Sequence, residues 1–461
     1  MEEKTQTVSD DKAKQVVALA NDRNVALSAA ALELLSSVSL TDAGRVLDEL
    51  SEKGLFIIGA PDVEARLMRT KLSASAPDVT VLKTGFRPAA KEYSANCREL
   101  KQLNFSTDMA CEGTVQDFAR MFGDQFETLS GVLRSRQGFS PRPISQVKTS
   151  SSRDVEFIAM VTEKWVTKNG NLAFRLEDLE DECIALVLKS DDVMLQAARP
   201  IMADEVIGVK GKKGKGDLII LAEIMQPDLP LKSPQRITEP LSIAVISDLH
   251  VGSKLFLEKE LDRFLSFLNG RSDSEKEREL AGRIKYLVVA GDTVDGIGVY
   301  PGQISKLLIK DLHAQYAALE DILLQVPDYI EVFIIPGQHD AVRWADPQPP
   351  IGKAYLPRLH ELKNYHMLPS PGWVEIEGLK TVLYHGAALH ELYNFNSRLS
   401  MTKPELAMIE ILKRRSFMLN FGNKQPYAPE KKDYLLIREE PDLYFGGDMH
   451  HIGFDTYRGC T

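Results

Sequence analysis

Two stretches in the second half of the chain decide its fold: residues 241–251 read LSIAVISDLHV, and residues 285–295 read KYLVVAGDTVD. Each is an apolar run rich in β-branched residues that ends in aspartate or histidine, as expected of a buried strand followed by a loop. Three further runs end in the same way: YIEVFIIPGQHD (329–340), KTVLYHG (380–386) and DLYFGGDMHH (442–451). Helical patterns separate these runs, so residues 241–461 are predicted to form a layered α/β domain. In open α/β sheets, functional side chains collect where strands end.

The side chains at these strand ends are of the types that bind divalent metals. The candidates are Asp248, His250, Asp292, His339, Asp340, His385, Asp448 and His450. A lone histidine of this kind is more often an ordinary surface or core residue. However, the chain has nine histidines, and five of them (His250, His339, His385, His450 and His451) lie in these runs, which favours a metal site. An aspartate can bridge two cations, and Asp292, which directly follows Gly291, is the predicted bridge.

The rest of the chain indicates a multi-domain protein that begins with a small helical module. Residues 1–14 are polar and charged and are expected to be disordered. Apolar residues then recur at helical spacing over residues 15–61, which predicts a helical module for docking. Residues 62–111 contain a stretch rich in Ser, Ala, Pro and Lys and are predicted to be a linker. An amphipathic helix is predicted within residues 112–138, leading into the next domain.

Residues 139–228 are predicted to form an OB-like β-barrel. Five short strand patterns occur in this range, and Asn169-Gly170 is a hairpin turn signal. The tip of the second hairpin reads KGKKGKG at residues 210–216. It is either a solvated turn or a contact with the phosphate backbone, because loops of such barrels bind nucleic acids. In the second case, the contacts would come from Lys212, Lys213 and Lys215.

Composition excludes several classes of protein. No run of about 18 apolar residues is present and the amino terminus is charged, so neither a transmembrane helix nor a signal peptide is expected. The four cysteines have no metal or redox spacing, which fits a reducing cytoplasm. The net charge of −10 argues against binding nucleic acid by bulk charge. Any such binding must be local, assisted by metal ions, or shared with a partner.

As a set, the five runs resemble the motifs of the calcineurin-like metallophosphoesterase superfamily, D-x-H, G-D-x-x-D, G-N-H-[DE], H and G-H-x-H. With the barrel and helical module upstream, the chain resembles more narrowly the small subunit of the archaeal family D DNA polymerase. The strings CEGTVQDFARMF, PGQHDAVRWADPQP and KQPYAPEKKDYLLI agree with that family. The resemblance covers nearly the whole chain from about residue 100, and implies a calcineurin-like phosphoesterase sandwich for residues 241–461. The family continues past the position of Thr461, so the sequence is expected to be truncated there.

The resemblance also implies a role for each candidate residue. One metal would be held by Asp248, His250, Asp292 and His450, and the second by Asp292, Gln338, His385 and Asp448. His339 would face the scissile phosphate and assist the leaving group, with Asp340 orienting it.

Two residues depart from the superfamily pattern. Gln338 replaces an asparagine, and Asp448 replaces the first histidine of G-H-x-H. Both belong to the second metal, whose site is expected to be the weaker one. The extra carboxylate makes that site harder and favours Mn²⁺ over Zn²⁺, so two Mn²⁺ ions are the expected cofactors. His451 is expected to point away from the site.

The function implied by the resemblance is a 3′→5′ exonuclease that proofreads for a heteromeric replicative DNA polymerase. It would act on single-stranded and primer-template DNA by two-metal phosphodiester hydrolysis, while a separate large subunit carries polymerisation. Its expected location is the cytoplasm of an archaeon, at the nucleoid. One alternative is a non-catalytic scaffold, like the B-subunits of eukaryotic replicative polymerases. Another is an independent phosphomonoesterase or protein phosphatase, which would not need the barrel.

Overall fold

The computed structural model describes residues 2–52, 55–60, 62–63, 66–67, 86–106 and 111–461. The described residues of the amino-terminal module include helices α1 (Glu2–Asn21), α2 (Ala29–Ser37) and α3 (Leu40–Glu52). Two short parallel strands, β1 (Ala26–Leu27) and β2 (Ile57–Ile58), complete it. Its core is formed by buried apolar residues that include Val16, Ala31, Leu35 and Leu47.

Residues 2–14 form part of helix α1, where the sequence predicted disorder over residues 1–14. The polar composition of this stretch suggested disorder, but it contains neither glycine nor proline. It is also continuous with residues 15–21, whose Val16 and Ala20 are buried in the core of the module. Packing of one end of a helix supports the rest of it, because propagating a helix costs far less than starting one.

The predicted five-stranded barrel is confirmed. Helix α4 (Val115–Arg134) precedes it and begins with a capping box formed by Thr114 and Asp117. A short helix, α5 (Ile144–Thr149), follows α4, and α6 (Asp192–Ala198) lies between the third and fourth barrel strands. The strands are β4 (Asp154–Val166), β5 (Leu172–Glu177), β6 (Glu182–Val187), β7 (Val206–Lys213) and β8 (Leu218–Met225), and they close in the order β4-β5-β6-β8-β7.

The carboxyl-terminal region contains two four-stranded sheets. The first is parallel, in the order β12-β11-β10-β9, with β9 (Ser242–Ile246), β10 (Ile284–Ala290), β11 (Glu331–Ile335) and β12 (Tyr365–Met367). The second is mixed, in the order β15-β14-β13-β3, with β3 (Cys97–Glu99), β13 (Gly372–Ile376), β14 (Leu379–Leu383) and β15 (Leu443–Phe445). One core cluster joins apolar residues of both sheets, such as Val288 and Phe333 with Val374 and Leu383, so the sheets pack face to face as a sandwich.

Five helices accompany this sandwich: α7 (Glu258–Leu268), α8 (Glu275–Arg283), α9 (Leu312–Leu323), α10 (Leu389–Phe395) and α11 (Pro404–Arg414). Helices α7 and α9 pack on the parallel sheet, because Leu261, Leu265 and Leu319 share a core with Leu287 and Val289. The layered α/β arrangement predicted for residues 241–461 is therefore present.

Residues 86–106 lie within the range predicted to be a linker (62–111), but they belong to the sandwich. Strand β3 pairs antiparallel with β13, and the side chain of Asn104 bonds both backbone polar groups of Trp373, at 2.7 Å to its N–H and 3.1 Å to its carbonyl. Leu100 and Leu103 are buried in the core beside Trp373. Val63 and Leu67, also within the predicted linker, are buried in the core of the amino-terminal module. Residues 64–65, 68–85 and 107–110 lie outside the described residues.

Helix α4 and a buried arginine connect the barrel to the sandwich. Phe126, Leu129 and Leu133 of α4 pack against Ile158 and other barrel residues. Met121, one turn earlier on α4, lies in the core of the sandwich.

Arg414, at the end of α11, is 3% exposed and places its Nε 2.8 Å from Oε1 of Glu205, just before β7. It also donates to the carbonyl of Pro200 at 2.6 Å. Separating the partners of a buried ion pair would leave a buried charge without compensation, which is costly. The pair therefore fixes the barrel and the sandwich relative to each other.

A fully buried carboxyl group beside this junction makes stability depend on pH. Asp433 accepts a bond from the N–H of Leu435 at 2.8 Å, and Asp124 and Arg438 are the charged groups beside it. Burial raises the pKa of Asp433 to about 7. The unfolded value is about 3.9, so ionisation opposes folding and stability falls as the pH rises between about 4 and about 7.

Asp433→Asn removes this ionisation and keeps an oxygen for Leu435. We expect the free energy of unfolding of the variant minus that of the native chain to grow by about 2–3 kcal/mol as the pH rises from 5 to 7, at 1.36 kcal/mol per pKa unit. Thermal unfolding followed by circular dichroism across this pH range measures the difference. Asp273→Asn, at an exposed position, is the matched control. Parallel pH profiles for the native chain and Asp433→Asn would contradict the prediction.

Candidate metal centre

The five predicted motifs meet at one edge of the sandwich. Strands β9, β10 and β11 are parallel neighbours, so the residues that follow them lie together at their carboxyl ends. Strands β14 and β15 are also parallel to each other. Backbone bonds connect the loops: the N–H of Asp248 donates to the carbonyl of Gly291, and the N–H of His250 donates to the carbonyl of Asp292, both at 3.0 Å. The N–H of Gly447 donates to the carbonyl of His385 at 2.7 Å.

Five of the predicted ligands have a left-handed backbone, which is uncommon for residues other than glycine. Their φ angles are 55° for Asp248, 48° for His250, 48° for Asp292, 69° for Asp448 and 51° for His450. Each such residue costs of order 1–3 kcal/mol, and strain of this size is found mainly at functional sites. The strand ends therefore take a conformation that local preference disfavours, and it aims their side chains at one another.

Glycine is required where the loops approach most closely. A Cβ on Gly337 would lie 2.2 Å from Oδ1 of Asp292 and 2.7 Å from Nε2 of His385. A Cβ on Gly291 would lie 2.3 Å from Nδ1 of His385. Real Cβ contacts are not this short, so any other residue at position 337 would displace Asp292 and His385, and any other residue at position 291 would displace His385.

Three overlapping groups of donor atoms form the centre. They are Asp248 with His250 and His450, His250 with Asp292 and His339, and Asp248 with Asp292 and His385, and the donor atoms within each group lie within 4.8 Å of one another. Asp292 is 3% exposed and lies between the sets. Its Oδ1 is 3.3 Å from Nε2 of His385, and its Oδ2 is 3.8 Å from Nε2 of His250. One carboxylate oxygen thus faces each of the two predicted donor sets, which is the arrangement that a bridging ligand would need.

Hydrogen bonds set the orientation of two histidine rings. Nδ1 of His385 lies 2.7 Å from the carbonyl of Ala290, and Nδ1 of His339 lies 2.7 Å from the carbonyl of Asp295. A carbonyl oxygen only accepts, so Nδ1 carries the proton in both rings. In the neutral form, Nε2 of each ring is then left with a lone pair directed at the centre, which is the usual arrangement of a metal-binding histidine.

The donor set fits divalent metal ions, because several buried polar atoms have no hydrogen-bond partner within the described part of the chain. They are Nδ1 and Nε2 of His250, Nε2 of His385, Oε1 of Gln338 and Oδ2 of Asp448. Buried polar atoms are normally paired, so five unpaired ones at one place indicate ligands for a cation. Two of these residues, Gln338 and Asp448, are also the two that depart from the superfamily motifs.

The field of the centre is negative. Burial by itself would raise the pKa of Asp292, but the neighbouring His385, His339 and His250 outweigh it and hold that pKa well below its usual range. Burial would lower the pKa of His385, but nearby carboxylates, Asp292 foremost, raise it well above its usual value. Carboxylates that stay ionised and imidazoles in a negative field both favour a bound cation.

The structure gives Asp340 a different task from the predicted one. It accepts hydrogen bonds from the N–H of Gly337 at 2.9 Å, the N–H of Thr293 at 3.1 Å and the hydroxyl of Tyr316 at 3.0 Å. Asp340 therefore fixes the loop that carries Gln338 and His339. The ring of His339 is oriented instead by the carbonyl of Asp295.

Two residues of the centre were missed by sequence reasoning. Oδ1 of Asp295 lies 3.3 Å from Nδ1 of His250, and the spacing G-D-x-x-D was the signal that could have identified it. Nε2 of His390, on α10, lies 3.0 Å from Oδ2 of Asp448, at ion-pair distance but without hydrogen-bond geometry. Its contact with Asp448 raises the pKa of His390. Nothing in the spacing of His390 pointed to the centre.

The other predicted residues fall into two groups. His451 turns its Nδ1 to the carbonyl of Met449 at 2.8 Å and joins none of the donor groups described above. On the barrel, Lys212 and Lys215 are exposed, but Lys213 donates to the carbonyls of Lys148 and Ser150, both at 2.7 Å. Lys213 therefore caps the end of α5, and only the other two lysines are available to a partner.

Comparison with known proteins identifies the family. The profile that describes the B-subunit of DNA polymerase alpha/epsilon matches residues 243–456. The DNA polymerase II small subunit of Archaeoglobus fulgidus is 36% identical over 429 residues, which cover 90% of this chain and 84% of that protein. The chain belongs to the DNA polymerase II small subunit family. The predicted resemblance to the archaeal family D small subunit is thereby confirmed.

Two other members of the small-subunit family illustrate its range. The protein of Methanocaldococcus jannaschii is 38% identical over 376 residues, covering 81% of this chain and 63% of that protein. This chain therefore spans less than two thirds of that relative. The protein of Halobacterium salinarum is 32% identical over 459 residues, covering 96% of this chain and 86% of that protein. Among the described residues of this family member, no helix combines the length and apolar composition needed to cross a lipid bilayer.

Proposed function

We propose that this chain is the proofreading subunit of a heteromeric DNA polymerase. It would remove nucleotides from the 3′ end of single-stranded or frayed primer DNA by two-metal hydrolysis, with Mn²⁺ as the metal that its donor set favours. Its partner would be a large subunit that carries polymerisation, in keeping with the name shared by its relatives. The observation that carries the nuclease proposal is the convergence of unpaired ligand atoms from four strand ends around Asp292, which follows a fifth strand.

Two divalent ions in this centre would neutralise the charge of the phosphate and make water a nucleophile at neutral pH. The protein contributes the geometry. Asp292 faces the two donor sets with separate oxygens. The carboxylate of Asp248 accepts a hydrogen bond from the backbone N–H of Asp448, at 3.1 Å to Oδ1 and 3.0 Å to Oδ2. These contacts hold the ligands in place before substrate arrives, which lowers the cost of organising the site during the reaction.

His339 is the proposed proton donor. Its Nδ1–H is held by the carbonyl of Asp295, so in the imidazolium form Nε2–H is the group that can pass a proton to the departing 3′ oxygen, which leaves the ring neutral. Nε2 lies 3.9 Å from Oδ2 of Asp292, which places the ring beside the ligands. The N–H of His339 also donates to Oδ1 of Asp292 at 2.9 Å, so the position of the acid is tied to that of the bridging carboxylate.

The test is an exonuclease assay on the purified chain, with and without the large subunit. A 5′-labelled single strand should be shortened from its 3′ end in Mn²⁺, and a primer with a mismatched 3′ end should be shortened faster than a paired one. p-Nitrophenyl phosphate serves as the control for a general phosphomonoesterase. Hydrolysis of this ester without any shortening of DNA would replace the proposal by a phosphatase function.

A non-catalytic scaffold is the second candidate, and the contact between His390 and Asp448 favours it. In that contact, Oδ2 of Asp448 lies at ion-pair distance, 3.0 Å, from Nε2 of His390, although the two atoms do not have hydrogen-bond geometry. If the pair stays closed, the second metal loses a ligand and the first metal alone cannot perform two-metal chemistry. Metal content that never exceeds one ion per chain, together with no DNA shortening, would identify the scaffold.

The two metal sites are expected to differ in affinity. Titration with Mn²⁺, followed by electron paramagnetic resonance, should show one tight and one looser site, with exonuclease activity following the looser one. The reason is that the second set uses Gln338, with its longer reach, and Asp448, which His390 contests. Replacing both residues, Gln338→Asn with Asp448→His, should tighten the second site or shift its preference toward softer ions. Equal affinities that the double replacement leaves unchanged would show that both departures are neutral.

The exposed barrel lysines give a prediction for DNA binding. Lys212→Ala with Lys215→Ala should weaken binding of single-stranded DNA and reduce the slope of log affinity against log salt by roughly 0.7 for each lost contact. Lys213→Ala is the matched control, because its ammonium group is already bound by two carbonyls. It should affect stability more than the salt slope. An unchanged slope in the double variant would leave this tip an ordinary solvated turn.

A further inference from the structure

A second group of metal-ligand residues lies at the opposite edge of the sandwich. It consists of Cys97 on β3, Glu331 at the start of β11 and His366 on β12, and their donor atoms lie within 4.8 Å of one another. Glu331 opens its strand, whereas the motif residues follow the ends of their strands. The two centres are therefore separated by the length of the parallel sheet.

The cluster is already arranged around His366. Its Nε2 lies 2.8 Å from Oε2 of Glu331, and its ring stacks on Phe333 with centroids 4.9 Å apart and planes at 21°. All three cluster residues are half-buried, which leaves an approach from solvent. Zinc bonds of about 2.3 Å to sulfur and 2.0–2.1 Å to nitrogen bring two ligand atoms to within about 4 Å of each other. The three donors are thus close to binding separation.

We propose that Cys97, Glu331 and His366 form a Zn²⁺ site in which three protein ligands leave a fourth position for water. Thiolate, imidazole and carboxylate are the donors that zinc takes in proteins, and a soft sulfur donor selects against the Mn²⁺ expected at the other edge. The inference concerns different residues and a different metal from the proposed nuclease, and it stands independently of that function.

Burial of the Cys97 thiol, together with smaller effects of Glu331 and Glu377 and against that of Lys285, raises its pKa to about 11. Without metal, the thiol keeps its proton. When Zn²⁺ binds, it forms a bond to sulfur, the thiol proton leaves to solvent, and the positive ion offsets the carboxylate of Glu331.

The site would join the two sheets. Cys97 belongs to the mixed sheet and packs into the core between the sheets, whereas Glu331 and His366 belong to the parallel sheet. Strand β3 has only three residues, so its pairing with β13 is short. A metal ion shared with β11 and β12 would hold this segment from its other side, and metal-binding free energy would add to the stability of the sandwich.

Cobalt titration of the full chain tests the proposal directly. Cobalt replaces zinc and gives a near-ultraviolet thiolate-to-metal charge-transfer band only when a cysteine sulfur is bound. The motif-derived centre contains no cysteine among its ligands, so the band reports the cluster alone. We expect Co²⁺ to produce the band in the native chain and in Cys111→Ser, with an intensity at saturation that corresponds to one thiolate-bound ion per chain. Cys111 is the other half-buried cysteine and serves as the matched control. We expect Cys97→Ser to abolish the band.

A second measurement covers the case in which Cys97→Ser fails to fold. His366→Asn removes one ligand, so it should weaken zinc binding at least tenfold. Because it keeps the cysteine, alkylation can be measured: Cys97 should react at zinc concentrations that protect it in the native chain. Zinc should also raise the thermal midpoint of the native chain, relative to a chelator-treated sample, more than that of His366→Asn. Absence of the charge-transfer band in the native chain, or a band that persists in folded Cys97→Ser, overturns the inference.

Discussion

His339→Ala is expected to lower the exonuclease rate by about 10²–10⁴-fold while the chain still binds two metal ions. The ring is held through Nδ1 by the carbonyl of Asp295, and Nε2 lies 3.9 Å from Oδ2 of Asp292, beside the donor groups. Its removal takes away a proton donor and leaves the contacts of His250, His385 and His450 with the carboxylates in place. Single-turnover rates on single-stranded DNA, with metal content from elemental analysis of the same sample, give both quantities.

The control and the contrary outcome for this variant are both defined by the structure. His313→Ala, in the first turn of α9 and away from the donor groups, should leave rate and metal content unchanged. His339 can also be grouped with His250 and Asp292 as a possible ligand. If His339→Ala loses an ion together with its activity, His339 is a ligand, and its role as the acid must be abandoned.

Asp292→Asn is expected to empty both metal sites and to reduce the exonuclease rate at least about 100-fold. Metal ions contribute several kcal/mol to such reactions, and each 1.36 kcal/mol is a factor of ten. A neutral amide bridges two cations poorly, and Asp292 contributes one oxygen to each donor set. Mn²⁺ binding measured by calorimetry should show two events in the native chain and neither at comparable affinity in the variant.

Asp328→Asn, in the turn before β11, controls for the loss of one negative charge. The N–H of His339 bonds Oδ1 of Asp292, and an asparagine that keeps its oxygen there can preserve this bond, so the fold of the loop should survive. Full metal content and a native rate in Asp292→Asn would show that the bridge lies elsewhere, with Asp248 as the next carboxylate shared between donor groups.

The parts of the fold that the sequence predicted are those encoded by local pattern. Apolar β-branched runs predicted the strands of the parallel sheet and the five barrel strands. Strands β10 and β11 are buried as expected, but β9 lies at the edge of its sheet and is only half-buried. Ligand identity at the strand ends was also readable, since parallel strands bring their carboxyl ends together without further information. Asp248 and Asp292 meet for this reason, whereas His385 follows β14 of the mixed sheet and joins them because the two sheets pack face to face.

What the sequence did not reveal depends on dihedral angles and on long-range contacts. Asp295 and Asp340 are both carboxylates that belong to the motifs. Asp295 contacts His250 whereas Asp340 fixes a loop, and this difference depends on how the chain turns after Asp292. The φ of Asp292 is 48°, and no sequence pattern encodes that angle. His390 reaches Asp448 from a separate helix. Strand β3 was hidden because three residues within a polar stretch carry no periodic signal, and only the partner β13 makes them a strand.

Strand β3 has a consequence for how the protein is made. Asn104 and Trp373, which bond each other across its end, are 269 residues apart in the chain, and the whole barrel is synthesised between them. The segment that completes the mixed sheet therefore leaves the ribosome early and waits for its partner, while the barrel can fold on the way. Closing so long a loop is slow, which makes docking of this segment a late step in folding. A fragment that begins at Leu241 would lack it altogether and would present the unpaired edge of β13 to other chains.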